Sequence, residues 1–328
     1  MSEGLKFGMM EGSYFPLVVT HEDPSFDIAH WAQQNRSEIR ELLNKHGAVL
    51  FRGFDIKDIA EFERLAVAST NGDWVPYLEA TSPRDHVQSR TSTSTRYQND
   101  RTIFFHNEKS YSGEWPYNLF FYCDVEPKVG GETPLSDCRQ LYLDIPEDIR
   151  EKFERKKLKY VRRFSNNMGI PWKQAFNVET RAEMEQFCRD NYINDLQWAD
   201  DGTPILSYVR NTAIDHPLTG ERVWFNHGTF FNVHSLEPEL KEFFLETVGQ
   251  DGLPYNTYYG DGEEIEEEVV QVLRYLYEKN SFSFKWRQRD VILIDNMLLS
   301  HGRRPFEGER SILVTMTGRV DYTEVNSI

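Results

Sequence analysis

The sequence predicts an α+β fold built around one sheet sandwich or barrel, a single domain over residues 1–328 with a helical insertion at about 140–222. Strand-like apolar runs lie toward both ends of the chain, and helical patterns fill its middle. No repeat, low-complexity tract or Pro/Gly/Ser linker divides it.

Taken in order, Ile39, Leu42 and Leu43 give Arg36 to Lys45 a helical pattern, and Ile59, Phe62 and Leu65 give another. Between them, the apolar run Ala48 to Phe51 stops at Arg52-Gly53 and reads as a strand. Ser82 to Asp100 is polar and rich in Ser, Thr and Arg. It reads as a loop, of a length that often carries function. Strands are expected at Ile103 to His106, Leu119 to Val125 and Thr133 to Leu135. Leu141 to Val161 and Thr180 to Tyr192 read as mainly helical, Val223 to Phe225 as strand, and Pro238 to Val248 as helix. In Glu263 to Glu278 an apolar stripe (Ile265, Val269, Val272, Leu273, Leu276) predicts an amphipathic helix, with acidic residues where the dipole favours them. Beyond it, Phe282, Phe284 and Trp286 alternate, Val291 to Ile294 is a buried-type run, and Ser311 to Thr317 closes the series.

Apolar residues make up 39% of the chain and aromatics 14%, enough for a substantial core. With 53 acidic against 37 basic residues the net charge is −16, which argues against nucleic acid and anionic membrane as partners. The first residues lack the basic start and apolar run of a secretory signal, and no apolar run approaches membrane-spanning length. Cys123, Cys138 and Cys188 form no CxxC pair, so neither a disulfide framework nor a zinc-thiolate site is expected. A cytoplasmic setting is the expectation.

Among nine histidines, His21, His30, His46 and His86 sit beside polar or turn residues, and Asp215-His216-Pro217 reads as a turn. His106 differs because extended backbone through Phe104-Phe105-His106-Asn107-Glu108 would put His106 and Glu108 on one face. His-x-Glu alone is a weak signal, and by itself it reads better as a solvated strand end. His301, which follows Val291 to Ile294 and a turn at Asp295-Asn296, offers a second imidazole. The three would complete a 2-His-1-carboxylate facial set, which leaves positions open for a chelating co-substrate and dioxygen. Arg310 opens the face that carries Ile312, Val314 and Met316. A desolvated guanidinium there needs an anion, and a dicarboxylate chelating Fe(II) is one.

Two blocks resemble the TauD/TfdA (taurine dioxygenase, clavaminate synthase-like) family of Fe(II)/2-oxoglutarate oxygenases. One is His106-Asn107-Glu108-Lys109-Ser110-Tyr111 with Trp115-Pro116 and Gly130-Gly131-Glu132-Thr133-Pro134. The other is Asp295-Asn296-Met297-Leu298-Leu299-Ser300-His301-Gly302-Arg303 with Arg310. Val223-Trp224-Phe225-Asn226 and Tyr258-Tyr259-Gly260-Asp261-Gly262 resemble its SyrP-like branch. The resemblance implies a double-stranded β-helix (jelly-roll) core with flanking helices. It implies Fe(II), 2-oxoglutarate and O2 as cofactors, with His106, Glu108 and His301 as iron ligands. Arg310 would hold the distal carboxylate of 2-oxoglutarate, with Thr133 as hydroxyl donor. Glu108, where many relatives carry Asp, argues against halogenation.

The same resemblance implies hydroxylation of an unactivated C–H in an amino acid or derivative, free or tethered to a carrier protein, in natural-product biosynthesis. Arg96, Tyr111, Arg210, Asn226 and His227 are the substrate candidates, each equally readable as loop charge, core aromatic or satisfied strand polar group. The basic run Lys152 to Arg163 could dock an acidic carrier or form a solvated face. Desaturation or cyclisation, a ligand-binding jelly roll without oxygenation, and a hydrolase or isomerase using His106 and Glu108 are the competing readings.

Overall fold

The computed structural model describes residues 4–70, 73–76, 79, 86–88, 90–94, 97–165 and 169–325. Its largest sheet has eight strands in the order Lys6–Met9, Leu17–Thr20, Ala48–Phe51, Val291–Asp295, Glu114–Val125, Ser311–Asp321, Thr91–Thr93, His86–Gln88. All neighbours are antiparallel except Leu17–Thr20 beside Ala48–Phe51. Its central strands read as unbroken apolar runs because both faces are covered. Val49, Phe51, Phe120, Tyr122, Val291 and Leu293 pack on Trp31, Ile39, Leu43, Phe62 and Leu65 of three N-terminal helices. The alternate residues Leu50, Leu119, Phe121, Ile292, Ile294 and Val314 point the other way. There they meet Leu135, Phe282 and Leu299 of a second, four-stranded sheet. That sheet runs Ser281–Phe282, Leu135–Asp137, Leu299–Arg303, Ile103–His106, so two sheets enclose one apolar core.

The insertion is not simply helical. Helices Cys138–Asp144 and Glu147–Lys156 occupy the first part of the expected helical block. Lys157, at φ 64°, ends the second, and Leu158–Arg163 is a strand. Leu158, Tyr160 and Arg162 are its buried residues, alternating with Lys159, Val161 and Arg163. It joins Asp195–Trp198, Pro204–Arg210 and Tyr255–Tyr259 in a third sheet, whose last strand lies beyond residue 222. A further core forms where this sheet packs on helices Arg181–Asp190 and Glu267–Lys279.

Smaller corrections concern boundaries. The helix expected from Glu263 starts at Glu267, leaving Ile265 outside it, and the strand expected at Thr133 starts at Leu135. Phe284 and Trp286 are buried without belonging to a strand. Within the expected loop Ser82 to Asp100, two short strands edge the large sheet. Helix Pro238–Val248 and strand Ala48–Phe51 fall where expected. No helix among the described residues is long and apolar enough to cross a membrane.

Candidate metal centre and co-substrate cleft

His106 ends the strand Ile103–His106, and ladder pairing sets it directly opposite His301 in Leu299–Arg303. The two imidazole centroids are 4.4 Å apart. Gly302 permits this approach, since a Cβ there would lie 2.6 Å from the Ile103 carbonyl oxygen. Glu108 arrives by a different route from the expected extended strand. The chain turns after His106, with Ser110 N–H donating to the Asn107 carbonyl and Lys109 at φ 58°.

Asn296 fixes that turn. Its Oδ1 accepts from Glu108 N–H at 2.7 Å, and its Nδ2 donates to the Glu108 and Pro116 carbonyls, both at 2.9 Å. Asn107 returns the contact, Nδ2 donating to the Asn296 carbonyl at 2.7 Å. As a result, one ligand atom from each of His106, Glu108 and His301 lies within 4.8 Å of the others. Glu108 and His301 are each only 5% exposed.

This donor set fits a divalent metal. A carbonyl can only accept, so the 2.9 Å contact of His106 Nδ1 with the Phe104 carbonyl puts the proton on Nδ1. The Nε2 lone pair is thereby left for a metal. His227 is held neutral, its pKa well below the usual histidine value through burial and then the nearby His106. Two neutral imidazoles and one carboxylate are the ligands non-haem Fe(II) takes.

Beside the triad runs a cleft lined by His106, His301, Thr133, Ser94, Arg303 and Arg310, with Ile103, Phe121, Ile312 and Val314 as apolar walls. Burial, reinforced by the charge of Arg303, lowers Arg310 to about 10, so it remains a cation at neutral pH. Its Nε donates to the Gly131 carbonyl at 2.9 Å, and its terminal nitrogens reach Thr133 Oγ1 at 3.4 Å and Ser94 Oγ at 3.5 Å. Thr133 Oγ1 also accepts from Trp286 Nε1 at 3.2 Å. With two donors on its oxygen, the hydroxyl proton remains available to an anion.

The substrate candidates separate. His227 stands beside the triad, its ring 5.3 Å from His106, with Nδ1 against the Asn107 carbonyl and Ser110 Oγ. Tyr111 packs edge-on against His227, but its hydroxyl is committed to the Glu79 carbonyl at 2.7 Å. Arg210 and Asn226 are not brought to the centre. The Arg210 guanidinium donates to the Asn191, Tyr192 and Val209 carbonyls, and Asn226 bridges Thr212 and Gly228. Arg96 lies outside the described residues.

Residue-by-residue reading missed Asn107, Asn296, Ser94 and His216. His216 is fully buried within its turn, with Nε2 2.8 Å from the Tyr117 hydroxyl and 3.1 Å from Asp295. Three of the seven basic residues in the run Lys152 to Arg163 are paired internally among the described residues. Lys152 pairs with Glu263 and Glu266, Lys156 with Asp261 and Glu263, and buried Arg162 with Glu79 at 2.8 Å.

The family described as "Taurine catabolism dioxygenase TauD, TfdA family" matches residues 13–317. The chain is 36% identical to the dapdiamide synthesis protein DdaC of Enterobacter agglomerans over 278 residues, 85% of this chain and 84% of that one. It is 29% identical to a clavaminate synthase-like protein of Arabidopsis thaliana, covering 93% and 94% of the two chains. Among solved structures, PvcB of Pseudomonas aeruginosa superposes with a TM-score of 0.59 at 13% identity, over 100% of this chain and 98% of the other. AAD-2, solved with Mn(II) and N-oxalylglycine, gives 0.57 at 13% identity over 97% and 98%. The fold is thus shared with those structures, and the chain belongs to the TauD/TfdA family of Fe(II)/2-oxoglutarate-dependent dioxygenases.

Proposed function

We propose that His106, Glu108 and His301 hold Fe(II) at the mouth of a jelly-roll core, and that the enzyme hydroxylates a C–H bond of an amino acid or amino-acid derivative in a biosynthetic pathway. The observation that carries this reading is the convergence of the three donors, ligand atoms within 4.8 Å, on a cleft ending in Arg310 and Thr133. Bound Fe(II), with dioxygen and 2-oxoglutarate, supplies an oxidant strong enough for an unactivated C–H bond. The side chains bind and orient. Arg310 and the Thr133 hydroxyl take the distal carboxylate, a charge-assisted contact strengthened by burial. Phe121, Ile103, Ile312 and Val314 keep water from that end of the cleft. Neutral His227 and Phe230, whose ring is 4.8 Å from that of His106, wall the other side of His106.

The core supports the jelly-roll assignment, because two sheets of eight and four strands share one set of inward side chains. The biosynthetic class is supported by the relative named for dapdiamide synthesis. The test is incubation with Fe(II), 2-oxoglutarate and a panel of free and derivatised amino acids, following succinate together with oxygenated product. A hydroxylated member of the panel formed in step with succinate is the expected result. Succinate without product from any member would reject the substrate class.

A further inference from the structure

Two arginines face the co-substrate cleft, and no carboxylate side chain lines it among the described residues. Arg310 is accounted for above. Arg303, two residues beyond His301, is only 5% exposed. Its guanidinium forms no ion pair among the described residues. One terminal nitrogen donates to the Tyr97 carbonyl at 3.1 Å, and the other to the carbonyls of Gln98 and Arg101, the latter at 2.8 Å. Phe306 N–H adds a further tie to the same segment through the Asn99 carbonyl at 2.9 Å. Arg303 Nε has no hydrogen-bond partner among the described residues and is shielded from solvent.

Carbonyl acceptors solvate a guanidinium without cancelling its charge, so the cleft holds two positive charges in a low-dielectric setting. A singly charged ligand that chelates the metal leaves one end of this field unanswered, whereas a dianion matches it. Resting on the 2-oxoglutarate reading above, we infer that Arg303 is a second recognition residue of the co-substrate cleft. Its charge makes the cleft select a doubly charged 2-oxo acid, and its carbonyl contacts fix Tyr97–Arg101 as the outer edge beside Ser94. These two roles are separable, because lysine keeps the charge but cannot span three carbonyls.

The experiment measures binding of 2-oxoglutarate and of 2-oxopentanoate, which carries a methyl in place of the distal carboxylate, to the Mn(II)-loaded protein by calorimetry. The proteins compared are the parent, Arg303→Met, Arg303→Lys and Arg310→Ala, with trypsin cleavage after Arg101 followed in parallel. In Arg303→Met the preference for the dianion should fall by about tenfold or more, through weaker 2-oxoglutarate binding, and cleavage should accelerate. In Arg303→Lys the preference should stay within about threefold of the parent while cleavage still accelerates. A purely structural role would weaken both acids alike and leave their ratio unchanged. An unchanged ratio in Arg303→Met, with Arg310→Ala losing the preference, overturns this inference alone. If Arg310→Ala also keeps the preference, the assignment of the cleft to 2-oxoglutarate falls with it. Should Arg303→Met fail to fold, Arg303→Lys still decides, since loss of the preference with charge retained contradicts the inference.

Discussion

The carboxylate end of the cleft is where single side chains make the sharpest predictions. With 2-oxoglutarate in the cleft as proposed, Arg310→Ala removes the cation that would face its distal carboxylate and should weaken binding by about 2–5 kcal/mol. Thr133→Val removes one hydroxyl donor and should cost roughly 1 kcal/mol, with Trp286 Nε1 left to find another acceptor. Titration calorimetry on the Mn(II)-loaded variants checks both, and equal losses would show that Thr133 does more than donate one bond. At this scale the residues legible in the sequence are those whose chemistry is costly to bury without a partner: His106, Glu108, His301 and Arg310. Asn296 was not legible, because an asparagine after an aspartate in a turn has many ordinary uses. Arg210 was named as a possible donor to the substrate, but it ends a strand of the third sheet and its guanidinium is turned to the Asn191 and Tyr192 carbonyls, a placement set by tertiary packing.

Among the elements, the turn at 296–298, between strands Val291–Asp295 and Leu299–Arg303, would set the bite of the proposed metal site. Asp295 Oδ1 accepts from the N–H groups of Met297 and Leu298, and Asn296 grips Glu108 from both sides. Asn296→Ala strands Glu108 N–H and two carbonyls in a buried setting. It should destabilise the fold by about 1–3 kcal/mol and lower metal affinity about 10–100-fold. Thermal unfolding with and without Mn(II) separates the two effects, and a variant with the parent's Mn(II) affinity would remove Asn296 from the site's support. Strands with both faces covered announced themselves as apolar runs, as in Ala48–Phe51 and Val291–Asp295. Leu158–Arg163 did not, because two of its three outward residues, Lys159 and Arg163, are basic and one inward residue is itself Arg162. A charge at an inward position breaks the period-2 signal that betrays a strand.

For the molecule as a whole, the described residues form three apolar cores. Beside the core under the third sheet lies the buried Arg162–Glu79 pair. Glu79 is 1% exposed, and its carbonyl accepts from Tyr111, which in turn packs on His227. Arg162→Met leaves a buried carboxylate without its cation and should cost about 3–5 kcal/mol. Chemical denaturation measures that loss, and Arg162→Met with Glu79→Gln together should recover part of it. A double variant no more stable than the single one would contradict the pairing. In a chain of net charge −16, Lys152 and Lys156 of the most basic run are tied to Glu263, Glu266 and Asp261. Composition could not show that pairing, because the partners lie about a hundred residues apart.

The measurement that tests the central claim most directly is an anaerobic titration of the metal-free protein with Fe(II) and then 2-oxoglutarate. His106→Ala, Glu108→Ala and His301→Ala are run beside the parent. The parent should bind 2-oxoglutarate tightly only once Fe(II) is present, and each variant should lose that metal-dependent binding while keeping the parent's thermal unfolding profile. Tight, Fe(II)-dependent binding of 2-oxoglutarate in any two of the three variants would contradict the claim that these side chains form the centre.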